Sequence, residues 1–255
     1  MQEKIKAYYK SYDEDGRLFR DNVHLTEYLT TIRYFERVLV PGSQILDACA
    51  GTGRYSLWLA DQGHKVTACD LVEHNLEIIK TKTGAENLAA IFPCDVLNLS
   101  GFEDNGFDAV LCMGALYHFR DRADKHQAIS ECVRVCKPGG IVVLTYITRV
   151  APVLAELNQD ISNIGGLVTW LDHAGEDDVF APTAPDVIEA LALECRLEKM
   201  YNIGVDGMAY LIHDKLNNAD EENFQKYLDF HYSTCESQDM IGASMHGLWI
   251  GRKGL

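Results

Sequence analysis

The residues best suited to chemistry lie between Ile45 and Asp70. Ile45 to Ser56 reads Ile-Leu-Asp-Ala-Cys-Ala-Gly-Thr-Gly-Arg-Tyr-Ser, an apolar strand that enters a glycine turn and leaves it as a helix. Glycines at 51 and 53 let the backbone turn tightly and come close to a ligand, and a helix opening near Arg54 presents unpaired N–H groups at the same place. Asp47, at the strand end, would repel a pyrophosphate and attract an ammonium group, so the turn suits a ligand with both a carboxylate and an ammonium. Asp70 closes the next apolar run 17 residues after Gly53, near the spacing at which a strand-end acid meets a ribose in dinucleotide-binding folds. A nucleoside is thereby implied. Each piece alone has a plainer reading: Gly-x-Gly can be an ordinary turn, and Asp70 can cap the helix that follows it.

Such residues need strands whose ends meet along one edge, and the rest of the chain supplies them. Apolar runs predict further strands at Lys65 to Leu71, Leu88 to Val96, Phe107 to Gly114 and Ile141 to Ile147. Between them lie helices at Arg54 to Gln62, Val72 to Thr83 and Asp124 to Cys136. Strands alternating with helices at these spacings predict an α/β fold, a doubly wound and mostly parallel sheet. A capping box at Thr183-Ala184-Pro185-Asp186 opens another helix, and strands at Arg196 to Ile203 and Ser244 to Gly251 complete seven. The rhythm breaks over 148–182, with Gly165-Gly166, Trp170 and acids at 176–178, and again over 204–243. Both read as cap insertions over the strand ends, and 1–40 as an N-terminal lid and helix, within one domain spanning 1–255.

At 255 residues and 47% hydrophobic content the chain can bury a sizeable core. Twenty-three basic against 38 acidic residues give a formal charge of −15 without a basic cluster, which argues against nucleic acid as a partner. The absence of a long apolar run argues against a membrane. Of eight cysteines, Cys49, Cys69, Cys94 and Cys112 fall in or at the end of strand-like runs and read as small buried hydrophobes; Cys132 and Cys136 lie four apart on a helix. Without a Cys-x-x-Cys pair no metal site is expected, and unpaired cysteines point to the cytoplasm.

The ordered set formed by the glycine turn, Asp70, Cys94-Asp95-Val96, Phe107 to Cys112 and Lys137-Pro138-Gly139-Gly140 resembles the class I S-adenosylmethionine-dependent methyltransferases, and within them the ubiquinone/menaquinone-biosynthesis-type group of small-molecule enzymes. The likeness covers roughly residues 40 to 150. It implies a seven-stranded Rossmann-like sheet and S-adenosyl-L-methionine as cofactor. Asp47, Ala48, Gly51, Thr52 and Gly53 would hold the methionine moiety and Asp70 both ribose hydroxyls. Leu71 and Val96 would flank the adenine, Asp95 would accept its amine, and Met113 and Gly114 would form the floor near the sulfonium. Where the family usually has a glycine two residues after the opening acid, this chain has Cys49, followed by Ala50.

Methyl transfer from a sulfonium asks the protein mainly to align donor and acceptor and to exclude water. If the acceptor must lose a proton, His118 just beyond the fourth strand is placed to take it, with Tyr117 orienting the acceptor. Tyr8, Tyr9, Tyr12 and Tyr146 are candidate pocket lining, although the first three can equally pack outside the domain. The acceptor is expected to be small and neutral or cationic, with N, O, S and C nucleophiles all open. Two other readings stand beside this one. A nicotinamide-dependent oxidoreductase would use the same sheet but meets Ser56 where its fingerprint wants a third glycine; a protein that binds the cofactor without turnover is compatible with every residue named.

Overall fold

The computed structural model describes residues 2–149, 153, 156–157, 160–167 and 179–255. Seven strands form one sheet: β1 (Gln44–Asp47), β2 (Lys65–Asp70), β3 (Ala90–Pro93), β4 (Phe107–Cys112), β5 (Cys136–Ile147), β6 (Leu197–Gly204) and β7 (His246–Lys253). Their order across the sheet is β3-β2-β1-β4-β5-β7-β6, and all are parallel to their neighbours except β7, which runs antiparallel between β5 and β6. The parallel strands therefore end together at one edge, and β7 begins there.

The helices are α1 (Gln2–Ser11), α2 (Asn22–Val38), α3 (Arg54–Asp61), α4 (Glu73–Thr81), α5 (Arg122–Val135), α6 (Pro185–Glu194), α7 (His213–Asn217), α8 (Glu221–Thr234) and α9 (Gln238–Ala243). Adjacent strand residues point to opposite faces, and in β1 both are fully buried. Leu46 packs with Val110, Val142, Ile129 of α5 and Leu191 of α6, whereas Ile45 packs with Leu111, Phe35 of α2, Leu59 of α3 and Ile79 of α4. Burial on both faces explains why β1 and β4 read as continuous apolar runs. The 204–243 segment, with α7 to α9, docks on α2: Asn22 Nδ2 donates to the Leu216 carbonyl at 2.9 Å, and His231 Nε2 meets Thr30 Oγ1 at 3.0 Å. Of the 148–182 segment, Trp170 and the acids at 176–178 lie outside the described residues.

Three expectations are corrected. The third strand is shorter than read and stops at Pro93, which lacks an N–H for the ladder; the chain then turns, with Leu97 N donating to Asp95 Oδ1 at 2.9 Å. The capping box does not form. Pro185 takes the first helical position, which puts Ala184 at the cap, and the Thr183 hydroxyl donates instead to the Ala181 carbonyl. Cys69 and Cys94 are not separate buried thiols but are joined in a disulfide between β2 and the residue that follows β3, Cα atoms 5.6 Å apart. The pairing removes the ground on which unpaired cysteines pointed to the cytoplasm. Among the described residues no helix is long and apolar enough to cross a membrane.

Candidate functional site

The glycine turn is built from backbone bonds that bridge three strands. Ala48 N donates to the Leu111 carbonyl on β4 and Ala50 N to the Cys69 carbonyl on β2, each at 2.9 Å, and Gly53 N closes the turn on the Ala50 carbonyl at 2.8 Å. Cys49 and Ala50 therefore do not prevent the turn. Gly53 is required twice over: its φ is +81°, and a Cβ there would lie 2.8 Å from Ile79 Cγ1.

Both acids at the turn are buried, and neither is ion-paired among the described residues. Asp47 is 3% exposed and its Oδ2 accepts a 2.6 Å hydrogen bond from Ser56 Oγ. Burial pushes its carboxyl up to about 7; the Ser56 bond opposes this and the charge of Asp70 adds to it. Asp70 accepts Gly51 N on one oxygen and Val72 N on the other, both at 2.8 Å, so it ties the turn to the start of α4. It is thus both a turn staple and a cavity acid, with a second lone pair left on each oxygen. Burial raises its pKa against those two backbone bonds.

Both side chains open into one cavity of about 360 Å³, within the range of small-molecule sites. Ala48, Gly51 and Thr52 line it beside Asp47; Leu71, Asp95 and Val96 line it beside Asp70; Met113, Gly114, Tyr117 and His118 line it beyond β4. Gly53 is not part of the lining. Gly114, at φ +116°, is held by its N–H on Thr145 Oγ1 at 2.9 Å. Buried acids without a cation, an open backbone turn and an apolar pair at Leu71 and Val96 fit an S-adenosylmethionine molecule: Asp47 would face its ammonium, and Asp70 its ribose hydroxyls.

Helix α1 closes the cavity. Gln2 Nε2 donates to Asp95 Oδ2 at 2.6 Å, and the Tyr9 hydroxyl meets His118 Nε2 at 3.1 Å. The other ring nitrogen, Nδ1, is 2.8 Å from the Val179 carbonyl, which can only accept, so Nδ1 carries the proton and Nε2 accepts from Tyr9. Burial drives the His118 pKa down to about 4, the Val179 bond opposing. His118 is therefore a neutral imidazole with both nitrogens engaged, and it anchors the lid. Tyr9 lines the cavity. Tyr8 stacks on Tyr12 at 5.2 Å, and neither is part of the lining. Tyr146 is likewise not a lining residue: its fully buried ring packs on Gly247, where a Cβ would come within 2.1 Å of Cζ, and its hydroxyl donates to Asn202 Oδ1 at 2.7 Å.

A second group of lining residues was not foreseen. Arg17 donates to both oxygens of Glu27, at 2.7 and 2.9 Å, with Glu14 3.5 Å away. Burial opposes ionisation of Glu27, but Arg17 and His246 together hold its carboxyl down to about 2. Tyr55, whose buried hydroxyl has no hydrogen-bond partner among the described residues, and His246 complete this wall. Arg17 and Glu27 form no motif in sequence, and His246 is a lone histidine within the last predicted strand.

The comparisons agree with this geometry. Residues 46–144 match the methyltransferase domain family. The chain is 31% identical over 58% of its length to the methyltransferase YqeM of Bacillus subtilis, covering 60% of that protein. It is 34% identical over 45% of its length to a demethylmenaquinone methyltransferase of Clavibacter sepedonicus, covering 46% of it, and 38% identical over 44% to the Homo sapiens protein named tRNA methyltransferase 9B, covering 23%. The chain thus spans between 23% and 60% of the length of these relatives. In fold, it superposes with a TM-score of 0.63 on a Haloferax volcanii methyltransferase solved with the Trm112 activator, 18% identical, over 98% of this chain and 97% of that one. Residues 46–144 are thus similar to a methyltransferase domain, set in a fold shared with a solved methyltransferase.

Proposed function

We propose that the chain is an enzyme that moves a methyl group from S-adenosylmethionine to a small-molecule acceptor. The observation that carries this reading is the pair of buried, uncompensated acids, Asp47 and Asp70, facing one cavity. When bound, the cofactor supplies a methyl group already activated by its sulfonium. Asp47, Ala48, Gly51 and Thr52 hold its amino-acid end, Asp70 its ribose, and Leu71, Asp95 and Val96 its base. Met113 and Gly114 support the reacting end. Helix α1, pinned by Tyr9 and Gln2, excludes water from the cavity. The domain limits read from the sequence, one unit over 1–255 with a lid at 1–40 and caps at 148–182 and 204–243, belong to the same proposal.

A small acceptor is supported by the size of the cavity, about 360 Å³, and by the charge of −15, which disfavours a polyanion. The relative named as a tRNA methyltransferase keeps RNA as the second reading. Calorimetry with S-adenosylhomocysteine tests the cofactor site, and methylation of amine, phenol and thiol panels against bulk tRNA tests the acceptor. Micromolar binding that is lost in Asp70→Ala, with turnover of a small acceptor, is expected. No binding at millimolar ligand ends the reading, and turnover of tRNA alone replaces the acceptor. Binding without turnover of any acceptor leaves a cofactor-binding protein. The nicotinamide alternative fares worse because Ser56, in place of the third glycine, donates to a buried carboxylate where a pyrophosphate would lie.

A further inference from the structure

The cavity holds two histidines, and they differ in what their free nitrogens can do. His118 has both nitrogens in hydrogen bonds, one to a carbonyl and one to the Tyr9 hydroxyl. His246, the first residue of β7, has Nδ1 2.7 Å from Asp206 Oδ2. A carboxylate only accepts, so the proton sits on Nδ1 and the lone pair of the neutral ring sits on Nε2. Nε2 has no hydrogen-bond partner among the described residues, and the ring lines the cavity.

The pair is rigidly set. Asp206 is fully buried and accepts Met245 N at 2.7 Å, His246 N at 3.2 Å and the Ser244 hydroxyl, in addition to the imidazole. Ser244 Oγ in turn accepts Asp206 N and Gly207 N, which fixes the loop after β6. The charged and titratable groups around the ring are Asp206 from that loop, Glu27 of α2 at 3.5 Å, Arg17 on the far side of Glu27, and Tyr210, whose ring centre is 6.3 Å away. Two carboxylates against one guanidinium leave a net negative surrounding, which an imidazolium would neutralise. Glu27, Asp206 and His246 also come within 4.8 Å of one another, but both Glu27 oxygens are already taken by Arg17 and the Asp206 oxygens by four donor groups.

We infer that Asp206 and His246 form a proton-accepting pair for a methyl acceptor whose attacking atom is an amine nitrogen or a hydroxyl oxygen that carries a proton. In the step, the N–H or O–H bond breaks, its electron pair stays on the acceptor atom as that atom bonds to the methyl carbon, and the proton passes to His246 Nε2. Asp206 holds the ring by Nδ1 and stabilises the imidazolium; it is a positioning residue. The inference rests on the methyltransferase reading. The environment supports it: burial works against a charged ring, but Glu27 and the bond and charge of Asp206 outweigh it and raise the His246 pKa above its usual value.

The tests separate the two readings. In wild-type protein labelled at the histidine nitrogens, NMR is expected to show His246 titrating with a midpoint above that of an ordinary histidine, with Nδ1 protonated and Nε2 unprotonated above its pKa. In Asp206→Asn the midpoint falls. An Nε2–H tautomer, or no titration, overturns the inference whatever acceptor is found. His246→Gln is expected to bind S-adenosylhomocysteine within twofold of wild type but to lower kcat on the best amine or phenol of the panel about 100-fold at pH 7. Its residual rate should climb with pH as the acceptor ionises unaided. Unchanged kcat and pH profile overturn the proposal, as does faster methylation of thioethers or other proton-free nucleophiles than of amines and hydroxyls. Failure of the wild type to bind S-adenosylhomocysteine would instead sink the methyltransferase reading and this inference with it, leaving the NMR result to stand for the pair alone.

Discussion

At the scale of single residues the site is governed by where charge is buried. The Asp47 carboxyl, raised to about 7 from an ordinary value near 4, destabilises the ligand-free fold: the cost begins above the unfolded pKa, grows as pH rises and is complete above about 7. Asp47→Asn keeps an oxygen for the Ser56 hydroxyl while removing the charge. At pH 8 it is therefore expected to stabilise the ligand-free protein by about 1 to 3 kcal/mol in urea titrations while abolishing S-adenosylhomocysteine binding. An ammonium placed at Asp47 favours its ionised form, so wild-type binding should release protons and tighten from pH 6 to pH 8 by up to about tenfold per unit below 7. Calorimetry in buffers of different ionisation enthalpy reads this proton release directly. Asp47 and Asp70 could be found in the sequence because they sit at the ends of apolar runs. His118 was found too, but only coordinates show that Tyr9 and Val179 occupy both its nitrogens. His246 could not be singled out, because its partner lies 40 residues away in an irregular segment.

At the scale of elements, strands and helices were legible wherever burial on two faces or a helical stripe left an apolar pattern. β1, β2, β4 and the helices α3 to α5 come out within a few residues of their expected limits. Errors fall where one residue overrides the pattern, as Pro93 does in β3 and Pro185 does at α6. The lid was legible only as a tyrosine-rich lead-in; its closure depends on two side-chain bonds that span 93 and 109 residues. Tyr9→Phe removes one of them and keeps the ring. It is expected to raise the dissociation rate of S-adenosylhomocysteine several-fold in stopped-flow experiments, with little change in thermal stability, because the bond at stake is partly buried and belongs to one short helix. Gly53→Ala acts on the frame itself. It forces a side chain into left-handed backbone against Ile79 and should cost about 2 kcal/mol or more in urea unfolding, with loss of cofactor binding.

At the scale of the whole molecule, the sheet order brings the ends of the parallel strands to one edge; the alternation of strands and helices in the sequence predicts the mostly parallel, doubly wound sheet, and the structure adds its order. What the sequence could not convey was which insertions return to that edge, since Arg17, Glu27 and Asp206 belong to three separate segments. Binding to the folded state alone should protect the whole fold: S-adenosylhomocysteine at 100 times its Kd is expected to add about 2.7 kcal/mol, a rise in Tm of roughly 5 to 10 °C, where NADH gives none. Strand β7 adds a consequence of its own. It is made last of the seven yet lies inside the sheet, between β5 and β6, with His246 at its leading end. While a ribosome is still extending the chain, the glycine turn can already be complete, but the gap beside β5 stays open and the imidazole has not arrived. On the proposed mechanism, the base therefore reaches the cavity only when this last-made strand inserts beside β5.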